Sequence, residues 1–264
     1  MLETKIVRSG DGTPIATWHA GSGTPLLMIH GMVSDHDSAM LMRETLEAHY
    51  ELWTMDRRGR GMSGDSDAYA LQREVEDVLA VARAIGKPAY IFGQSFGALL
   101  TLGSLLAPGQ HFRKAVLYEA PIQLLSAPML PAGFLQYGDE LLARGEREEL
   151  VIQFAKQVVR IPDKDIAAMR SLPTWPKRVA AAHTIPREAR AIVEYRCEVE
   201  RLRALTQGMQ VLVGENSAPS FQQSATFLAD ALQAKLVMLE GQGHVANVTA
   251  PALLARQLID FYGS

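Results

Sequence analysis

The pentapeptide Gly93-Gln94-Ser95-Phe96-Gly97 constrains this chain more than any other stretch. The apolar run Ala89-Tyr90-Ile91-Phe92 leads into it, and the apolar run from Ala98 to Leu106 leaves it. A strand that turns at once into a helix holds its turning residue in a sharp, strained and exposed bend. Glycines on both sides are needed there because side chains would clash. The segment predicts a strand, a tight turn at Ser95 and a helix.

The rest of the chain repeats that alternation. Thr4–Arg8 and Pro14–His19 flank the turn-rich Ser9-Gly10-Asp11-Gly12-Thr13 and predict a hairpin. Apolar runs at Pro25–His30, Tyr50–Asp56, Pro88–Gly93, Lys114–Glu119, Gln210–Gly214 and Lys235–Glu240 predict buried, mostly parallel strands with helices on both faces. Leu71–Ile85 carries Leu71, Val75, Val78, Leu79 and Ala82 at helical spacing, with Gly86 and Pro88 after it. A last helix is expected from Pro251 to Tyr262. Between Ile122 and Leu205 no strand is expected, only helical stretches such as Asp139–Arg160 and Arg187–Leu205, separated by prolines 162, 173, 176 and 186. The expected organisation is an α/β core of residues 1–121 and 206–264 interrupted by a helical insertion, 122–205.

Composition narrows the function classes. With 264 residues, 48 % hydrophobic and 21 % charged, the chain is an ordinary globular one. A net charge of −3 supplies no basic field for nucleic acid and no polybasic arm for a membrane. A single cysteine, Cys197, excludes an internal disulfide and a Cys-rich metal site. Met1-Leu2-Glu3-Thr4-Lys5 has no apolar run of the signal-peptide kind, so a cytoplasmic location is expected. The expected partner is a small molecule, with no cofactor and no metal; the oligomeric state is open.

A serine hydroxyl needs a base before it can attack a carbonyl. Of seven histidines, His244 in Gly241-Gln242-Gly243-His244 lies just past the last strand, at the sheet edge where Ser95 is expected. His30 reads as loop-shaping, and the other five as satisfied or solvated. A tetrahedral oxyanion needs two backbone N–H groups aimed at one point. Phe96, after the serine, supplies one, and Met32, in the loop after His30-Gly31, supplies the other.

His30-Gly31, the run from Asp56 through Arg57-Arg58-Gly59-Arg60-Gly61-Met62 to Ser63, Gly93–Gly97 and Gly241–His244 together resemble the α/β-hydrolase superfamily in order and spacing. The resemblance spans nearly the whole chain. It implies that superfamily's fold, a serine–histidine pair, and a cap domain at Ile122–Leu205; the substrate stays open. One departure stands out. The superfamily commonly carries its acid after the strand Gln210–Val213, where this chain has Gly214-Glu215-Asn216-Ser217-Ala218-Pro219. Glu119, at the end of the preceding strand, is the expected replacement. Some haloalkane dehalogenases and zearalenone-type lactonases are similar in placing their acid there. Glu215 and an uncharged Asn216 are the alternatives.

For Arg57, Arg58 and Arg60 a salt bridge from one of them to a neighbouring loop is expected rather than phosphate binding. Met32 and Met129 are expected in an apolar pocket, with Phe134, Tyr137 and Trp175 at its entrance. The function expected is a cofactor-independent serine hydrolase cleaving an ester or lactone of a small to medium, largely apolar substrate. The alternatives are carbon–carbon hydrolysis, perhydrolysis or acyl transfer on the same triad, and a homologue that binds ligand without turnover.

Overall fold

The computed structural model describes residues 2–124, 126 and 128–264; Met1, Leu125 and Ala127 lie outside the described residues. Eight strands form one sheet: β1 (Glu3–Arg8), β2 (Pro14–Ala20), β3 (Pro25–Ile29), β4 (Glu51–Met55), β5 (Ala89–Gln94), β6 (Phe112–Tyr118), β7 (Gly208–Gly214) and β8 (Lys235–Leu239). Their order is β1-β2-β4-β3-β5-β6-β7-β8. β1 and β2 pair antiparallel, as do β2 and β4, and every pair from β4–β3 to β7–β8 is parallel. The predicted hairpin and the mostly parallel sheet are both present, with strand ends within two residues of expectation.

Parallel strands are covered on both faces, and all five residues of β3 are buried. Successive residues point to opposite faces. Leu27 and Ile29 join the cluster that contains Leu99 and Leu228, whereas Leu26 and Met28 join the one that contains Leu46 and Leu254. The first face is therefore covered by α2 (Leu71–Ile85), α3 (Phe96–Leu106) and α10 (Pro219–Leu232). The second carries α1 (Arg43–Glu47), α11 (Ala246–Thr249) and α12 (Pro251–Gly263). α2 has the predicted bounds. Its apolar stripe buries Val75, Val78, Leu79 and Ala82, and Gly86 closes it at φ 77° with its N–H on the Ala82 carbonyl.

Between β6 and β7 the chain forms α4 (Phe134–Ala143), α5 (Arg147–Gln153), a wider π-type turn (Phe154–Val159), α6 (Asp163–Arg170), α7 (Trp175–Ala180), α8 (Ile185–Glu194) and α9 (Val199–Arg203). The two long helical stretches expected here are each divided. Gly145, at φ 75°, separates α4 from α5, and an extended turn at Tyr195 separates α8 from α9. Pro176 and Pro186 begin helices α7 and α8 rather than merely separating them, because proline fits the first turn, where its missing N–H costs nothing.

The arginine-rich turn bolts this helical layer to the sheet. Arg57 is wholly buried between Glu74 of α2 (2.7 Å) and Glu188 of α8 (3.1 Å), and Arg60 also pairs with Glu188. Arg58 pairs with Asp77 and Asp11. Burial acts against the Arg57 charge, but Glu188 and Glu74 outweigh it and raise its pKa. Among the described residues no helix is long and apolar enough to cross a membrane.

Candidate active site

The parallel register brings four loops to one edge of the sheet. Gln94 of β5 aligns with Tyr118 of β6, Tyr118 with Leu212 of β7, and Gly214 with Leu239 of β8. The first residue past each strand still bonds its neighbour. Ser95 N–H donates to the Tyr118 carbonyl (2.8 Å), Glu119 N–H to Leu212 (3.1 Å) and Glu215 N–H to Leu239 (3.1 Å). Ser95, Glu119 and the Glu215 loop thus emerge side by side.

Ser95 sits at φ 55°, ψ −125°, a conformation that costs an L-residue energy and persists where surrounding packing enforces it. The glycines around it explain that packing. A Cβ on Gly97 would strike the Ile29 and His30 carbonyls, and one on Gly93 would lie 2.7 Å from Ala98 Cα. A Cβ on Gly31 would come within 3.0 Å of Ser95 Cβ, so the loop after β3 passes directly over the serine.

That loop carries Met32. The Gly31 carbonyl is held from two sides, by His30 Nδ1 at 2.8 Å and Arg57 Nη1 at 3.1 Å. In a trans peptide the Met32 N–H points opposite to that carbonyl, away from Arg57. His30 must therefore donate from Nδ1, leaving Nε2 to accept the Arg57 N–H (3.3 Å). Burial, with Arg57 and Arg60 nearby, holds its pKa well below the ordinary histidine value. His30 is the loop-shaping residue expected. Phe96 begins α3, where the first N–H groups lack intrahelical partners, and Arg57 lies 4.4 Å over its ring.

Glu119, fully buried, places Oε2 2.5 Å from His244 Nδ1. Its Oε1 accepts from Gly214 N–H (2.7 Å) and the Ser217 hydroxyl. Its own φ is 52°, in the left-handed region, where the chain leaves β6. The His244 loop is tied down elsewhere too. Gln94 Nε2 donates to the His244 carbonyl (3.0 Å) and to Asn247 Oδ1 (3.1 Å), Tyr118 OH donates to the Gly243 carbonyl, and the Phe221 ring lies 4.5 Å from the imidazole. Burial, with Glu119 beside it, keeps the Tyr118 phenol pKa well above its ordinary value, so it remains a donor.

The two alternative acids sit elsewhere. Glu215 is exposed and accepts from the Gly241 N–H (2.7 Å), bracing the rim of the His244 loop. Asn216 is exposed, and its N–H donates to the Gln242 carbonyl (2.8 Å). Ser217, not Asn216, faces the carboxylate.

Ser95, His244, Gly31 and Met32 line a common cavity of about 50 Å³. Its roof comes from the helical layer: Val151, Phe154, Ala155, Val159, Ile161, Met169 and Arg178. Met129, Phe134, Tyr137 and Trp175, expected in the pocket or at its entrance, are not among the lining residues. Phe134 packs behind Phe154 at 6.3 Å, and Trp175 is buried with its indole N–H on Glu148. Aromatic type suggested a pocket, but these rings serve the core of the helical layer. Gln94, Tyr118, Ser217 and Arg178 were missed. Only Gln94 had a sequence signal, its place inside the pentapeptide.

A second acidic cluster lies away from this cavity. Asp35, His36 and Asp56 come within metal-ligating reach of one another. Their atoms are already engaged: Asp56 accepts from the His36 N–H and Met62 N–H and contacts His36 Nδ1 at 2.7 Å, and Lys177 faces Asp35.

Comparison with known proteins bears on the family and the fold. Residues 26–257 match the model of the alpha/beta hydrolase family. A solved alpha/beta hydrolase from Sphaerobacter thermophilus DSM 20745 is 34 % identical, covers 98 % of this chain and 100 % of its own, and superposes with a TM-score of 0.85. An esterase (EaEST) from Exiguobacterium antarcticum shares the fold at a TM-score of 0.81, with 18 % identity over 99 % of this chain and 100 % of that one. The uncharacterized hydrolase YraK of Bacillus subtilis (strain 168) is 26 % identical over 233 residues, 84 % of this chain and 82 % of that protein. The chain belongs to the alpha/beta hydrolase family.

Proposed function

We propose that the protein is a serine hydrolase that cleaves an ester or lactone of a small, largely apolar substrate through an acyl-enzyme. Ser95 Oγ attacks the acyl carbon while His244 Nε2 takes its proton, forming a C–O bond and pushing the carbonyl electrons onto oxygen. The Met32 and Phe96 amides receive that oxyanion. Collapse expels the alcohol oxygen, which takes the proton from His244. Water, deprotonated by the same nitrogen, then releases the acid and restores Ser95. These steps need only the named residues and water.

One observation carries the reading: a buried carboxylate lies 2.5 Å from Nδ1 of a histidine that shares a cavity with a strained serine. That contact fixes the imidazole tautomer with its Nε2 lone pair free, and it opposes the imidazolium charge that forms on attack. We read residues 122–205 as a cap, since their helices roof the cavity and exclude water from it. The cavity's small size favours short acyl groups.

The non-catalytic alternative rested on the lack of a carboxylate near Asn216, and Glu119 removes that motive. The test is a panel of esters and lactones of graded acyl size, assayed with wild type and Ser95→Ala. The expected result is turnover of at least one class by wild type and its loss in the variant. Full retention by Ser95→Ala would contradict the mechanism.

A further inference from the structure

We propose that the cavity over Ser95 receives a substrate whose non-reacting end is a carboxylate, bound by Arg178; this rests on the hydrolase reading above. Four arginines of the chain are more than nine-tenths buried: Arg57, Arg58, Arg60 and Arg178. Three of them meet carboxylates, with Arg57 on Glu74 and Glu188, Arg58 on Asp77 and Asp11, and Arg60 on Glu188. Arg178 meets none among the described residues. Its Nε is buried without a hydrogen-bond partner, and Nη1 makes a single long bond, 3.4 Å, to the Val33 carbonyl. The nearest acidic influence, Asp35, faces Lys177 at 3.6 Å and accepts the Asp37 N–H.

A guanidinium cannot shed its proton at any pH the fold survives, so burial without a counter-ion is costly. Burial lowers its pKa, which is the same cost seen from the side of the proton. The other three arginines show how this chain neutralises a buried guanidinium when the purpose is structural. At Arg178 the neutralising group is left to come from outside, and the side chain opens into the cavity that Ser95 and His244 line. Val33, which takes its one bond, is a β-branched residue held at φ 47° in the same wall. Such strain collects at binding sites rather than in plain packing.

The chemistry selects a carboxylate. One guanidinium offers a planar fork that matches a carboxylate in two parallel bonds. No lysine and no other arginine lines the cavity to balance the second charge of a phosphate. The rest of the lining is mostly apolar, Met32, Val151, Phe154, Ile161 and Met169 among it, which suits a short hydrocarbon spacer. The class described is a half-ester of a short dicarboxylic acid, or a lactone or ester bearing one carboxylate. Arg178 is then a specificity-determining residue that touches substrate away from the scissile bond.

The experiment compares monomethyl succinate, glutarate and adipate with the methyl esters of the alkanoic acids of equal chain length, followed by acid release. The expected result is a kcat/KM ratio of about 30 or more in favour of the best half-ester in wild type, and a collapse of that ratio to about 3 or less in Arg178→Met. A wild-type ratio of one or below, or an unchanged ratio in the variant, overturns the proposal. The wild-type ratio decides the matter even should the variant not fold. Calorimetry on the Ser95→Ala protein reads the subsite without turnover, using glutarate, dimethyl glutarate and inorganic phosphate. Glutarate should bind at least about tenfold more tightly than dimethyl glutarate, and Arg178→Met should abolish the difference. Phosphate binding more tightly than glutarate overturns the carboxylate assignment. Arg178-dependent glutarate binding by a protein that turns over no ester sinks the hydrolase reading and keeps the subsite. Turnover of neutral esters without any carboxylate preference does the reverse.

Discussion

Glu119→Gln changes no volume and removes one charge, and the surrounding hydrogen bonds dictate its effect on His244. Oε1 of Glu119 accepts from the Gly214 N–H at 2.7 Å, and Oε2 faces His244 Nδ1 at 2.5 Å. A glutamine must keep its carbonyl oxygen on the Gly214 N–H, which can only donate. Its NH₂ group then faces Nδ1, and two donors cannot share that contact. His244 is driven to carry its hydrogen on Nε2, the nitrogen required to accept the Ser95 proton. The variant thus loses the working tautomer and the anion opposite the imidazolium together. The equivalent change in a serine protease triad costs about 10⁴ in kcat. We expect a fall of about 10³–10⁴ here, or about 4–5.5 kcal/mol at about 1.4 kcal/mol per decade. Initial rates on 4-nitrophenyl acetate, with thermal melts alongside, measure it. Glu215→Gln, which loosens only an exposed hydrogen bond to the Gly241 N–H, should stay within about threefold of wild type. Retention of more than about a tenth of the rate by folded Glu119→Gln refutes the reasoning, as does a larger loss in Glu215→Gln.

The remaining expectations concern what holds the site in place. Glu188→Ala leaves Arg60 buried without its carboxylate and strips one of two from Arg57, so chemical denaturation should show a loss of about 3–5 kcal/mol. Gly97→Ala forces a Cβ into the Ile29 and His30 carbonyls, which cannot retreat without moving β3; about 2 kcal/mol or more of destabilisation should appear in the same assay. Burial keeps His30 neutral in the folded protein, whereas the unfolded chain binds a proton below its ordinary value of 6.5. Stability should therefore fall as the pH drops below about 6.5, by up to about 1.4 kcal/mol per pH unit from this group. Melts from pH 7.5 to 5.5 should show a shallower decline in His30→Gln; an equal decline would remove His30 as the cause.

Sequence and structure agree where a short stretch determines its own conformation. α2 was legible residue by residue because its apolar stripe and Gly86 are both local. The parallel strands were legible because burial on two faces leaves no polar alternation. Glu119 could be singled out because an apolar strand ends in a charge, and its neighbour strand lacks the expected aspartate. The helical layer was legible only as helical, since its breaks depend on Gly145 and Tyr195 and on prolines that start helices. The pocket is not legible in the sequence, because residue type alone does not give position. Which face of α5 and α6 looks down on Ser95 is set by packing, and it is the aliphatic face. Ser217 lies 98 residues from the carboxylate it supports, and Gln94 lies 150 from the carbonyl it holds. Nothing local marks either role.

The most direct measurement is labelling by a fluorophosphonate, which reacts selectively with a serine activated by a neighbouring base. Peptide mass spectrometry of the treated wild-type protein should find one adduct, on Ser95, and His244→Ala should lose it while still melting cooperatively. An inert, folded wild-type protein, or an adduct on any other residue, would contradict the account.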